Sequence, residues 1–166
     1  MDQKQIKKII VTALLVALSV VGSFIKIPSP TGTVALDSLP GYLAALLLGG
    51  IPGAIVAFIG HLATAATTGF FMTLPLHLLV AVQMAVTMLV YGFLAKKTKL
   101  PIAMAVAILI NGVGAPACFI LIPNMGIPFF TAMVLPLTVG SAVNVILSGL
   151  VYYPLQHANV LKNIQG

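Results

Sequence analysis

The stretch LPGYLAALLLGGIPGAIVAFIGHLATAATTG, Leu39 to Gly69, decides how this chain folds. Unbroken, it would be one apolar segment, longer than the roughly 20 residues of helix that cross a bilayer. Its middle, Gly49-Gly50-Ile51-Pro52-Gly53, carries glycine and proline at the density of a turn. The reading is a short helix to about Leu48 and a second helix from about Gly53.

Charge parity tests that cut. The chain has eight lysines, two aspartates, no arginine and no glutamate in 166 residues. Lys4, Lys7 and Lys8 lie at the start, Lys96, Lys97 and Lys99 in the middle, and Lys162 near the end. If residues 39–69 crossed once, three crossings would put the first two clusters on opposite sides. Cut at Gly49–Gly53, they are separated by four crossings and share a side. Positive residues favour the cytoplasmic side. Six helices with both termini cytoplasmic therefore satisfy seven of the eight lysines, and only Lys26 lies outside.

Composition agrees. The chain is 60% hydrophobic and 6% charged, with a mean hydropathy of +1.17, whereas a soluble domain carries about 25% charge. The expected fold is an all-α integral membrane bundle forming a single domain over residues 1–166. Its helices are expected over about 6–25, 37–48, 53–69, 73–94, 101–122 and 130–155. The second is short for a crossing and is read as tilted or drawn into the loop before it. A net charge of +6 without arginine or basic–aromatic interleaving is not a nucleic-acid signal. The first apolar run is too long for a cleavable signal peptide and lacks a small-residue cleavage site. Cys118 reads as a small buried side chain in an apolar run.

Polar groups at membrane depth need partners, so they are the candidates for function. Asp37 lies at the outer end, where the first loop meets the second helix. His77 is one turn into the fourth helix from outside, and Asn124 is in the last outer turn. His61, Gln83, Asn111 and Asn144 fall near mid-membrane, and His157 lies at the cytoplasmic end. The set points to an outward-opening pocket under the loops at 26–38, 69–73 and 123–129. Interhelical hydrogen bonding explains Gln83, Asn111 and Asn144 as well as ligand contact does. His61, beside Gly60, leans to a structural role. Asp37 fits a helix N-cap near Pro40, a ligand contact or both. Phe70 and Phe71 fit interfacial anchors or ring contacts. On helix 1, Ala13 and Ala17 stand four residues apart on one face, a spacing that lets another helix approach closely.

Absences narrow the chemistry. There is no GxxxxGK[ST] loop, and hence no P-loop ATP hydrolysis. There is no HxxxH or HExxH pair for a metal, and without glutamate most acid–base arrangements are missing. The expectation is a protein that is not an enzyme and holds no cofactor. With no internal repeat, a self-sufficient carrier is disfavoured, though a small oligomeric transporter stays open beside a small membrane enzyme.

Val34-Ala-Leu-Asp-Ser-Leu-Pro40, Gly49-Gly-Ile-Pro-Gly-Ala54, Gly60-His-Leu62 and the Ala13-xxx-Ala17 motif resemble the S components of energy-coupling factor (ECF) vitamin transporters. The resemblance covers nearly the whole chain. It implies a bacterial plasma-membrane subunit in which Ala13 and Ala17 dock on a transmembrane T component, itself coupled to two cytoplasmic ATPases. It also implies a small vitamin ligand held in the outer half, with Asp37, Phe70, His77, Gln83, Asn111, Asn124 and Asn144 as candidate contacts. Ile25 to Leu39 and Gly60 to His77 are most similar to α-ribazole transporters, which salvage a precursor of the cobalamin lower ligand. A thiamine pyrimidine or pantothenate is the alternative.

Overall fold

A computed structural model describes residues 2–29 and 32–158; Lys162 lies outside them. Helix α1, Gln3–Gly22, starts earlier than expected because Asp2 and Gln5 close a capping box. The Gln5 N–H donates to Asp2 Oδ1 at 2.7 Å, and the Asp2 N–H donates to Gln5 Oε1 at 3.3 Å. Two bare N–H groups of the first turn are thereby satisfied.

The first loop, at 26–38, holds a hairpin, a departure from a wholly helical chain. Strands β1 (Lys26–Ser29) and β2 (Gly32–Ala35) pair antiparallel, with Ile27 opposite Val34 and Pro28 opposite Thr33. Ile, Val and Thr favour extended backbone, and in a two-stranded sheet both strands are edges, where proline is tolerated.

Helix α2 (Leu39–Leu47) and helix α3 (Gly50–Thr67) meet at Gly49, whose φ of 102° suits glycine. The break therefore falls at Gly49, and Pro52 sits in the first turn of α3, where its missing N–H costs nothing. The two helices run antiparallel at backbone contact: a Cβ on Gly53 would stand 2.7 Å from Ala45 Cβ, and one on Gly41 would stand 3.0 Å from Ala57 Cβ. Nine residues of α2 extend about 14 Å, less than half the hydrocarbon thickness. Tyr42, Ala44 and Ala45 on it are at most 1% exposed. It is a short buried element inside the bundle that returns the chain from the hairpin end to the turn at Gly49.

Helix α4 (Leu74–Lys97) returns along α3. A long apolar stretch follows from Leu100 to Leu121, made of α5 (Leu100–Leu109), a π-helical segment (Ile110–Gly114), α6 (Ala115–Cys118) and a 3-10 turn (Phe119–Leu121). The π segment precedes Pro116, which has no N–H and crowds the carbonyl four residues back; widening the helix there relieves the clash. Helix α7 runs over Gly126–His157, with Pro128 in its first turn. Among the described residues, five stretches are long and apolar enough to cross a membrane: α1, α3, α4, Leu100–Leu121 and α7.

The lysine clusters converge. Lys8 shares a groove with Pro52 at the start of α3, and Lys96 Nζ reaches Gly49. Tyr152 and Gln156 of α7 border a hollow with Lys96. The start of α1, the α2–α3 turn, the end of α4 and the end of α7 thus form one lysine-bearing end, and the hairpin lies at the other.

Near the lysine end, α3 and α4 touch through Gly50 and Gly92. A Cβ on Gly92 would meet the Gly50 N and Cα at 2.7 Å, with no flexible side chain to yield. Gly92→Ala is therefore expected to lower stability by about 2–3 kcal/mol. It would be read as an earlier unfolding midpoint in detergent; an unchanged midpoint would show that the helices part freely.

Candidate functional site

At the hairpin end the helices enclose a cavity of about 150 Å³. Its walls are mostly apolar, with Val80, Met84, Phe119, Phe129, Met133 and Leu137 among them. The polar groups come from each element in turn: Asp37 before α2, His61 and Thr64 on α3, Gln83 on α4, Asn111 in the π segment, and Ser141 with Asn144 on α7.

Asp37 is 7% exposed and held twice. Its Oδ2 accepts from Thr64 Oγ1 at 2.5 Å, and its backbone carbonyl accepts from Ser19 Oγ of α1. It does not occupy the cap position of α2, which falls on Ser38 and has no side-chain cap bond. The first N–H of that helix, on Leu39, donates instead to Asn144 Oδ1 at 2.8 Å. Asn144 Nδ2 donates to the carbonyls of Ala35 (3.1 Å) and Gly140 (2.9 Å). With both faces of its amide used, Asn144 ties the hairpin and α2 to α7.

Gln83 and Asn111 differ from Asn144. Gln83 Nε2 donates to the Ala115 carbonyl at 3.3 Å, and its Oε1 is buried without a partner among the described residues. The accepting carbonyl fixes which way the amide points. A buried acceptor left unmade is costly, and Gln83 is the cavity-lining residue that carries one. Asn111 Nδ2 donates to Ser141 Oγ at 2.7 Å across the π segment, and π bulges recur at functional sites.

His77 does not line the cavity. It is 2% exposed and stands behind His61, its Nδ1 3.3 Å from His61 Nε2, with the rings of Phe70 and Phe71 in T-shaped contact at 5.8 and 5.4 Å. The expectation for the two histidines is thus reversed, since His61 faces the cavity. Phe70 is a turn residue with φ 51° off the cavity, whereas Phe71 is on its wall. Asn124 is exposed, has φ 67° and lies away from the cavity. It is there for the turn, since asparagine tolerates left-handed backbone. Thr64 and Ser141 were not singled out from the sequence. The available signal was spacing: Thr64 is one helical turn from His61, and Ser141 one turn from Asn144.

Beneath the cavity the bundle is filled. Along α4, Met84 borders the cavity and Gly92 borders the lysine-end hollow. Between them Tyr42, Met88, Tyr91 and Val145 are fully buried, the two tyrosine rings packed edge-to-face at 5.3 Å. On the outside of α1, Ala13 and Ala17 are exposed, while Leu15, Ser19 and Gly22 face the core.

Residues 7–156 match the model of the family described as the substrate-specific component of ECF transporters. The chain belongs to that family. As an ECF substrate-specific component it is a membrane transport subunit, and membership implies association with a T component, ATPases and a small-molecule ligand. A solved structure described as the S component of a bacterial ECF transporter superposes with a TM-score of 0.67 at 22% identity, covering 95% of this chain and 99% of that one. At that identity the likeness is one of fold. No curated protein matches the chain.

Proposed function

We propose that this S component captures a neutral or weakly charged vitamin precursor, α-ribazole first among them, in the cavity beneath the hairpin. The supporting observation is an apolar cavity lined by Asp37, Asn111, Ser141 and Gln83, whose Oε1 has no partner among the described residues. α-Ribazole pairs an apolar bicyclic base with a hydroxyl-rich ribose. Phe119 and Phe71 offer surfaces for the ring. The polar side chains offer acceptors and donors for the sugar. The absence of arginine from the sequence disfavours a tightly held phosphate or dicarboxylate, for which a bidentate guanidinium is the usual solution.

In this reading the lysine end is cytoplasmic, the hairpin end faces out, and α2 completes a six-helix chain with both termini inside the bacterial plasma membrane. Ala13 and Ala17 on the exposed face of α1 dock on the T component, and ATP hydrolysis by two cytoplasmic ATPases drives reorientation and release inward. Equilibrium binding to the purified chain in detergent tests the capture step, with α-ribazole, thiamine pyrimidine and pantothenate as a panel. Saturable binding of α-ribazole at submicromolar concentration is expected, with no response to the others. Tight binding of another member would replace the ligand, and silence across the panel would overturn capture itself.

A further inference from the structure

The pairing of His61 with His77 determines where a proton sits on the cavity wall. His77 Nδ1 and His61 Nε2 are 3.3 Å apart, so one of them carries the hydrogen between them. His77 Nε2 is buried and has no partner among the described residues. If His61 donated, neutral His77 would accept at Nδ1 and carry its own hydrogen on Nε2, leaving a buried N–H with no partner among the described residues. A doubly protonated His77 would strand the same N–H. When His77 donates from Nδ1, only a lone pair is left bare, and orphaned buried N–H groups are the rarer and costlier defect. His61 Nε2 is then an acceptor, and the His61 hydrogen must sit on Nδ1. That nitrogen is neither bonded among the described residues nor buried, and His61 lines the cavity.

Building on the capture reading, we propose that His77 is a positioning residue that locks His61 with its hydrogen on Nδ1, making His61 a hydrogen-bond donor to the ligand. Gln83 lines the same cavity, and its Oε1, without a partner among the described residues, supplies the complementary acceptor once the amide turns to the ligand. The ligand class follows: a molecule offering a bare acceptor, such as a ring nitrogen or ether oxygen, together with an N–H or O–H donor.

The proton can be observed directly, without ligand. The chain has three histidines, so two-bond ¹H–¹⁵N correlations on histidine-labelled protein in detergent resolve each ring. The exposed His157 serves as the reference. Both His61 and His77 are expected to show a protonated Nδ1 and a bare Nε2. A protonated Nε2 on His61 overturns the proposal. His77→Phe, which suits the aromatic surroundings, is expected to release His61 to the Nε2–H form that a free imidazole prefers. It should weaken α-ribazole binding about tenfold, the scale of one lost hydrogen bond. His77→Asn, whose amide N–H stands near the former Nδ1–H, is expected to keep the His61 proton in place and binding within about twofold. If His77→Phe weakens binding while the His61 proton stays on Nδ1, His77 only fills space and its positioning role fails. If wild-type protein does not bind α-ribazole, the capture reading for that ligand fails, and the spectra still decide the proton.

Discussion

Asn144→Ala is expected to abolish ligand binding and to lower stability by about 2–5 kcal/mol. The side chain is 1% exposed and makes three hydrogen bonds. Truncation leaves the Leu39 N–H and the Ala35 carbonyl without partners, at about 1–3 kcal/mol each. The Gly140 carbonyl lies in the body of α7 and is less affected. Loss of binding follows from position. Ala35 and Leu39 bracket Asp37 and Ser38, so the Asp37 carboxylate is aimed at the cavity only while both ends of that segment are tied to α7. Asn144→Asp separates this account from simple loss of volume. Its shape is the same and it can still accept from Leu39, but a carboxylate oxygen would then face two carbonyl oxygens in place of an N–H donor. It is expected to fail nearly as badly as alanine. Thermal unfolding and ligand binding, measured on both variants, check this; an Asn144→Asp protein that binds like the parent would show the amide N–H bonds to be dispensable.

Ala13→Leu with Ala17→Leu is expected to eliminate uptake in cells and to leave binding to the purified subunit unchanged. Both positions are exposed on α1, and Ala13 borders an open groove beside Pro52, Ile55 and Ile59, so added volume is accommodated without entering the core. A helix packed against small residues approaches closely, and two leucines would push it away by a few ångströms, removing most of the dispersion contacts. The cavity is built from α3, α4, the π segment and α7, so the substitutions do not reach it. Uptake of labelled ligand in cells expressing the whole transporter, compared with binding in detergent, reads the split. Loss of binding as well would mean that this face of α1 supports the fold rather than a partner.

Much of the architecture was legible because membrane insertion leaves strong traces. Glycine and proline at Gly49–Gly53 marked the reversal between α2 and α3, and lysine placement predicted that the two clusters share an end, as they do. The hairpin was hidden because its eight paired residues are too few for a pattern of two to stand out beside Pro28 and Gly32. At the site, depth along a helix can be counted, and Asp37, Gln83, Asn111 and Asn144 all line the cavity. Direction around the helix axis is harder to count when the residues on every side are apolar. His61 therefore lies on the cavity wall and His77 behind it. Asn124 and Phe70 misled for another reason: positive φ in a turn selects or tolerates residues by backbone conformation, and the sequence signal resembles that of a contact residue. Hydroxyls such as Thr64 and Ser141 are so common in membrane helices that only their contacts distinguish them.

The packed tyrosines between the cavity and the lysine end have a kinetic meaning. A vessel with a solid base, reoriented as proposed, is a bucket, not a pipe: its throughput is counted in loads, one per round trip. Flux through such a device saturates at the number of subunits multiplied by their cycling rate, and no steepness of gradient opens a second lane. It also holds its load between trips, so a scarce nutrient can be gathered long before the energy to move it is spent.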